Sequence, residues 1–343
     1  MAATLPDDQR LIQISPKSYE HPADRAATAA LKSIPMLDTV VRKLIEYGWE
    51  RQIRQELMGN CVRLSDAQMP EVWMGHRAAL ARLDIDGVPD LYLGQGPFIN
   101  ASAIGSERPM VVLNSSTVAT LNELELRTVL GHEAGHILSD HLLYSTALAI
   151  LIIVGTRPLM ALPFFAGIPL LAVKLALLEW YRAAELSCDR AATLVNRSPM
   201  TTCQTLMVMA GGTASRKLSL DAFVAQASEY VDLEPGWDKF GRFRAELLQT
   251  HQYPVRRVHE IQKWVRSGEY DRIINGEYRK RGDRVDPREE AGAASEFYAE
   301  RFRGIFREFG EGISKAGDKA ADAADKLATW LRRSESREAS DGA

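Results

Sequence analysis

The stretch "LRTVLGHEAGHILSDHLLY", Leu126 to Tyr144, holds two histidines four residues apart, with a glutamate directly after the first. On an α-helix, positions i and i+4 share a face, so His132 and His136 can turn two imidazoles toward one ion. Glu133 is rotated from His132 by about 100°, which keeps it out of the same coordination sphere but within reach of a water beside the ion. Zinc lowers the pKa of a bound water to about 7, and a neighbouring carboxylate can take the proton as that water attacks a polarised carbonyl. The plainer alternative, two surface histidines on an amphipathic helix, fits the surroundings poorly. Val129, Leu130, Ile137 and Leu138 flank the motif, and imidazoles among apolar neighbours need partners.

A catalytic zinc site takes three protein ligands and keeps one position open. A third histidine six residues on, after a glycine, is excluded, because Leu142 and Ser139 occupy those positions. His141 lies five residues past His136, on a different face, and reads as a packing or hydrogen-bonding residue. The other arrangement draws a glutamate from a following helix. Between Ile137 and Leu178 there is none, so the candidates are Glu179 and Glu185 in "LEWYRAAELSCDRAA". Arg182, Glu185 and Asp189 share one helical stripe and Glu179 falls off it. Glu185 can therefore complete the site, with Asp189 one turn on to orient a ligand histidine through its outer nitrogen. An ordinary Arg182–Glu185 surface pair is the competing reading.

Outward from the motif, Asn122 and Glu125 form a capping-box signature that starts its helix. Upstream, "VPDLYLGQGPFINASAIGSERPMVVLNSS" has short alternating apolar runs broken by Gly, Pro and Asn, which predict a small antiparallel sheet. Apolar residues at helical spacing from Leu31 to about Arg82 predict two or three helices. Residues 1–30 are polar, carry Pro6, Pro16 and Pro22, and are expected to form a loosely ordered lead-in. After Asp286 the chain is charged and alanine-rich, so 286–343 is expected to be an amphipathic helix and a disordered tail. The expected domain runs from 31 to 285.

The 343 residues are 46% hydrophobic and 25% charged, with a net charge of -3. A chain this near neutrality gives no electrostatic reason to bind nucleic acid. Cys61, Cys188 and Cys203 are too few and scattered for a disulfide framework and fit a reducing compartment. "MAATLPDDQR" has neither a basic n-region nor an apolar h-region, so no signal peptide is expected and the default location is the cytoplasm.

"HEAGH" followed some fifty residues later by "RAAELSCDRAA" resembles the M48 peptidases, the group of the HtpX heat-shock proteases and the CAAX prenyl proteases. "PFINASAIG", "VVLNSSTVATLNELELRTVLGHEAGH" and "THQYPVRRV" extend the resemblance over roughly Pro89 to Val258. The resemblance implies one zinc ion per chain on His132, His136 and Glu185, with Glu133 as general base and Asp189 orienting a ligand. It also implies that His251 faces the tetrahedral intermediate, that Arg257 steadies Glu185, and that Asn100 and Ala101 hold substrate in extended form. Two positions depart from the pattern. Cys188 stands where alanine is usual and reads as a small buried residue, and Gln252 follows His251 where proline is usual.

HtpX-like relatives insert a membrane hairpin between the two zinc motifs. Here Leu142–Thr156 and Pro158–Val173 are apolar runs of fifteen and sixteen residues around Arg157, each short of the roughly twenty needed to span a bilayer. A hairpin that packs on the core or dips into a membrane interface fits these lengths better, and the C-terminal helix around Trp330 is a second candidate for peripheral contact.

The expectation is a mainly α (α+β), zincin-like metallopeptidase with a small sheet edging the cleft, cleaving unfolded or damaged polypeptide. Two alternatives stay open: a non-proteolytic zinc-containing chaperone or adaptor, for which Glu133 has no use, and a membrane-anchored processing protease with one dedicated substrate.

Overall fold

A computed structural model describes residues 10–34, 37–165, 170–232 and 252–283. The lead-in expected to be loose is folded from Arg10 onward. Leu11, Ile14 and Tyr19 are buried, and helix α1 (Pro22–Lys32) follows, with Pro at its first turn and His21 as N-cap. Pro16 and Pro22, two of the prolines that suggested disorder, set a turn and a helix start. The expected tail, 286–343, lies outside the described residues.

Next come α2 (Leu37–Leu44), α3 (Glu50–Asn60), β1 (Val62–Arg63) and α4 (Pro70–Arg82). β2 (Asp90–Gly94), β3 (Ala101–Ile104) and β4 (Met110–Asn114) then complete the sheet. Its order is β1-β2-β4-β3, with β2 parallel to β4 and the other pairs antiparallel. The sheet is thus mixed, where local alternation suggested antiparallel pairing throughout. β4, whose Met110, Val111 and Leu113 are wholly buried, inserts between β2 and β3, so the most apolar strand takes a central place. That leaves β3 at the edge.

Behind the sheet run α5 (Ser115–Thr120), α6 (Glu123–Leu138), α7 (Leu142–Ile153), α8 (Thr156–Met160) and the 27-residue α9 (Leu170–Asn196). α10 (Pro199–Gly211), α11 (Leu220–Asp232), α12 (Pro254–Arg266) and α13 (Glu269–Ile274) close the described chain. The capping box at Asn122 and Glu125 forms as read, each side chain bonded to the other's backbone N–H.

The described residues form two main apolar cores. One joins the sheet, α4, α6, α10, α12 and the C-terminal half of α9. The second joins α1, α2, α7 and the N-terminal half of α9. α9, about 40 Å long, runs through both. α7 packs on this second core through Tyr144, Ala147, Leu148, Ile150 and Leu151, while Leu142 at its start joins the first. No single helix among the described residues is long and apolar enough to cross a membrane. Together α6 and α7 pass by length and composition, but they bend by 108° at their junction.

Candidate metal centre

The site forms where α6 crosses α9, against the free edge of β3. Two glycines allow the approach. A Cβ on Gly131 would stand 2.9 Å from Val195 Cβ, and one on Gly135 would stand 2.8 Å from Ala191 Cβ. These two positions of the helix therefore need glycine for close packing.

His132 and His136 lie one turn apart with ring centroids 5.1 Å apart. Both turn Nε2 toward Glu185 on α9. Glu185 Oε1 lies 3.4 Å from His132 Nε2 and 3.2 Å from His136 Nε2. Ligands about 2.0–2.1 Å from a tetrahedral zinc stand about 3.4 Å from one another, and both contacts to Glu185 match that spacing. Cys188 Sγ also lies within 4.8 Å of the histidine donor atoms. Its thiol is pushed well above its usual range by burial, then by Glu185, and a protonated sulfur is a poor metal ligand. Glu185 Oε1 thus offers a carboxylate donor where Cys188 offers a thiol.

Partners outside the donor set hold it in place. His132 Nδ1 meets Asp189 Oδ1 at 3.1 Å, and Arg257 binds Asp189 bidentately, Nε to Oδ2 at 2.7 Å and Nη2 to Oδ1 at 2.6 Å. Arg257 Nη1 also stands 3.4 Å from Glu185 Oε2. One buried guanidinium thus serves both carboxylates. Burial alone would raise Asp189, but Arg257 and His132 outweigh it and hold the group below its usual value. Likewise burial would lower His132, yet Glu185 and Asp189 push it up to about 10. His136, where burial dominates, is lowered to about 4.

Glu133 is buried, and its Oε2 has no hydrogen-bond partner among the described residues. Burial raises it to about 7, partly countered by His132 and by the Ala103 amide. A carboxylate at that value can take and return a proton near neutrality. A cavity lined by Asn100, Ala101, Val129, His132, Glu133 and Glu185 opens beside it.

The structure brings His132, Glu133, His136, Glu185, Asp189 and Arg257 together, with Asn100 and Ala101 on the rim. Glu179, the rejected candidate, is paired with Arg182 instead, and both are buried, so the suggested Arg182–Glu185 surface pair does not form. His251 lies outside the described residues; its neighbour Gln252 is buried and donates Nε2–H to the Arg182 carbonyl at 2.9 Å.

Residue spacing did not single out three contributors. Ala103 bonds Glu133 through its backbone, and no side-chain pattern marks such a role. Tyr181 stacks on His136 with centroids 5.3 Å apart, four residues before Glu185. Asp24 enters from α1, far away in the chain.

Two histidines and a glutamate around a cavity, with a buried carboxylate beside them, define a metallohydrolase site. The chain belongs to peptidase family M48, whose sequence profile matches residues 71–265. It is 35% identical over 269 residues, 76% of each chain, to the plastoglobule-localized metallopeptidase 48 of the chloroplast of Arabidopsis thaliana. It is therefore a metallopeptidase of a metal-dependent, typically zinc-dependent, family. No solved structure matches it.

Proposed function

We propose that the chain is an endopeptidase that hydrolyses extended segments of unfolded or damaged polypeptide, with zinc on His132, His136 and Glu185. The observation that carries this reading is the convergence of both histidine Nε2 atoms on Glu185 Oε1, at 3.4 and 3.2 Å, beside the unpartnered carboxylate oxygen of Glu133. When bound, the ion supplies Lewis-acid polarisation of the scissile carbonyl and acidifies water. Glu133 accepts the proton of the attacking water and returns it to the leaving amine. Asp189 and Arg257 hold His132 and Glu185 at their places. His251 is assigned to the oxyanion.

The edge of β3 supports this substrate class. The Asn114 amide donates to the Asn100 carbonyl at 3.0 Å. Bonding alternates along an antiparallel pair, so Ser102 and Ile104 point their backbone groups at β4, while Ala101 and Ala103 point theirs at the open edge. Ala103 N–H is taken by Glu133. The Ala101 backbone remains to pair with an extended chain, and a segment whose backbone groups are already paired within a fold has none to offer there. Asn100 donates its own N–H to Thr117 Oγ1 at 2.8 Å, so its contact with substrate is through the exposed side chain.

The test is casein cleavage by the purified chain and by Glu133→Gln, with zinc content measured in both. Loss of a general base predicts a fall of about 10²–10⁴-fold with zinc retained. Equal cleavage by both proteins rejects the role of Glu133, and absence of zinc from both rejects the donor set.

Three exposed apolar side chains favour a peripheral lipid contact. Ile153 is 68% exposed and Ile152 and Leu171 nearly half, on either side of the 154–169 connection. Ile153→Glu is expected to abolish flotation with neutral phosphatidylcholine vesicles while leaving peptide cleavage unchanged; unaltered flotation rejects the contact.

A further inference from the structure

The outer nitrogens of the two ligand histidines are anchored differently. His132 Nδ1 meets a carboxylate directly, at Asp189. His136 Nδ1 faces another imidazole, His141 Nδ1, at 3.2 Å. His141 Nε2 in turn lies 3.1 Å from Asp24 Oδ2 on α1. Asp24 accepts from Ser187 Oγ at 2.6 Å and from Thr28 Oγ1 at 3.2 Å. His136, His141 and Asp24 are each no more than 3% exposed. Aromatic neighbours fix the rings as well. Tyr181 lies flat on His136, 8° from parallel, and Trp180 meets His141 edge-on at 89°.

Tautomer chemistry gives this line of contacts a direction. A histidine that offers Nε2 to a cation carries its proton on Nδ1 and must donate there. The group facing His136 Nδ1 must then accept, which His141 does when its own proton sits on Nε2. That proton points at Asp24 Oδ2, an acceptor. With those tautomers each donor in the line meets an acceptor, and Cys188 Sγ lies 3.7 Å from His141 Nδ1 beside it. Asp24 sits in the third position of α1, where an aspartate needs no further reason to be, but its carboxylate oxygens meet Thr28, Ser187 on α9 and His141. A carboxylate this buried is costly unless it serves a donor.

We propose that His141 and Asp24 are positioning residues for the metal site, a relay through which the N-terminal helix α1 sets the tautomer and orientation of His136. The proposal rests on His132, His136 and Glu185 being the zinc ligands. α1 lies outside the segment matched by the family profile, residues 71–265, so the site draws an anchor from beyond that segment.

The experiment is zinc affinity of the full chain, by competition with a chromophoric chelator, alongside melting of the metal-free protein. His141→Phe keeps an aromatic ring and removes the relay; it is expected to weaken zinc binding roughly 10- to 100-fold, the usual effect of losing an outer partner. Asp24→Asn should weaken it in the same direction by less. His141→Gln, which retains an acceptor and a donor at similar reach, should recover most of the affinity. Leu31→Val loosens α1 without touching the relay and should leave zinc affinity at the parent value even where melting falls. Parent-like zinc affinity in His141→Phe, or an equal loss in Leu31→Val, overturns the proposal. A parent chain that takes up no zinc defeats the ligand assignment itself, and the relay with it.

Discussion

Arg257 shows how tightly single residues are constrained here. It is 4% exposed and faces Glu185 and Asp189 together, so its removal strands two buried carboxylates. Breaking such a pair costs about 3–5 kcal/mol. Arg257→Leu is expected to lose that much stability in urea unfolding of the metal-free chain. Arg257→Lys should fall between, because a single ammonium cannot match the bidentate fork on Asp189. A Leu variant as stable as the parent would mean the carboxylates are neutral in the fold. His76 on α4 offers a second test. Its Nε2–H donates to the Pro89 carbonyl at 3.1 Å, and burial lowers it to about 4. The unfolded chain takes up the proton near pH 6.5 and the folded chain only near 4. Its stabilising contribution is thus complete above pH 6.5 and is lost as pH falls toward 4, a loss of about 3 kcal/mol. Urea midpoints between pH 7 and pH 4 should therefore fall less steeply in His76→Gln, which keeps the donor and does not titrate.

Among elements, the α6–α9 crossing decides the site, because one helix carries both histidines and the other Glu185 and Asp189. Gly135→Ala places a methyl 2.8 Å from Ala191 Cβ and 3.2 Å from Cys188 Cα. The helices must part, at an overpacking cost of about 1–3 kcal/mol. Because the displaced stretch of α9 carries Glu185, zinc affinity should drop along with the melting temperature. Retained affinity would show that the donors tolerate the shift. The two histidines and Glu133 were legible from spacing alone, since i and i+4 positions meet on any α-helix. Glu185 was legible by elimination and by its stripe with Asp189. The sheet was less so: alternation marks strands, but strand order depends on which strand is buried most deeply, and β4 settled that by inserting between β2 and β3.

At the scale of the whole molecule, the site sits where two cores meet along α9. An ion bridging α6 and α9 binds the folded chain alone, and at a thousandfold excess over Kd it adds about 4 kcal/mol. For a fold of this size that corresponds to about 8–16 °C. Chelation should lower the melting temperature by about that amount and abolish cleavage, with both restored by zinc. An unchanged melting temperature would place any bound ion away from the crossing.

By itself, the sequence pointed to the metallopeptidase class: helical periodicity set His132 and His136 on one face with Glu133 beside them and gathered Glu185 and Asp189 on one stripe, a local rule that needs no tertiary knowledge. Tertiary structure decided what spacing cannot carry. It turned the proline-bearing start of the chain into a docked α1, set β3 rather than β4 at the open edge, and brought Asp24 to His141 across more than a hundred residues. Those outcomes depend on which apolar faces bury one another, and that is settled only when the whole chain packs.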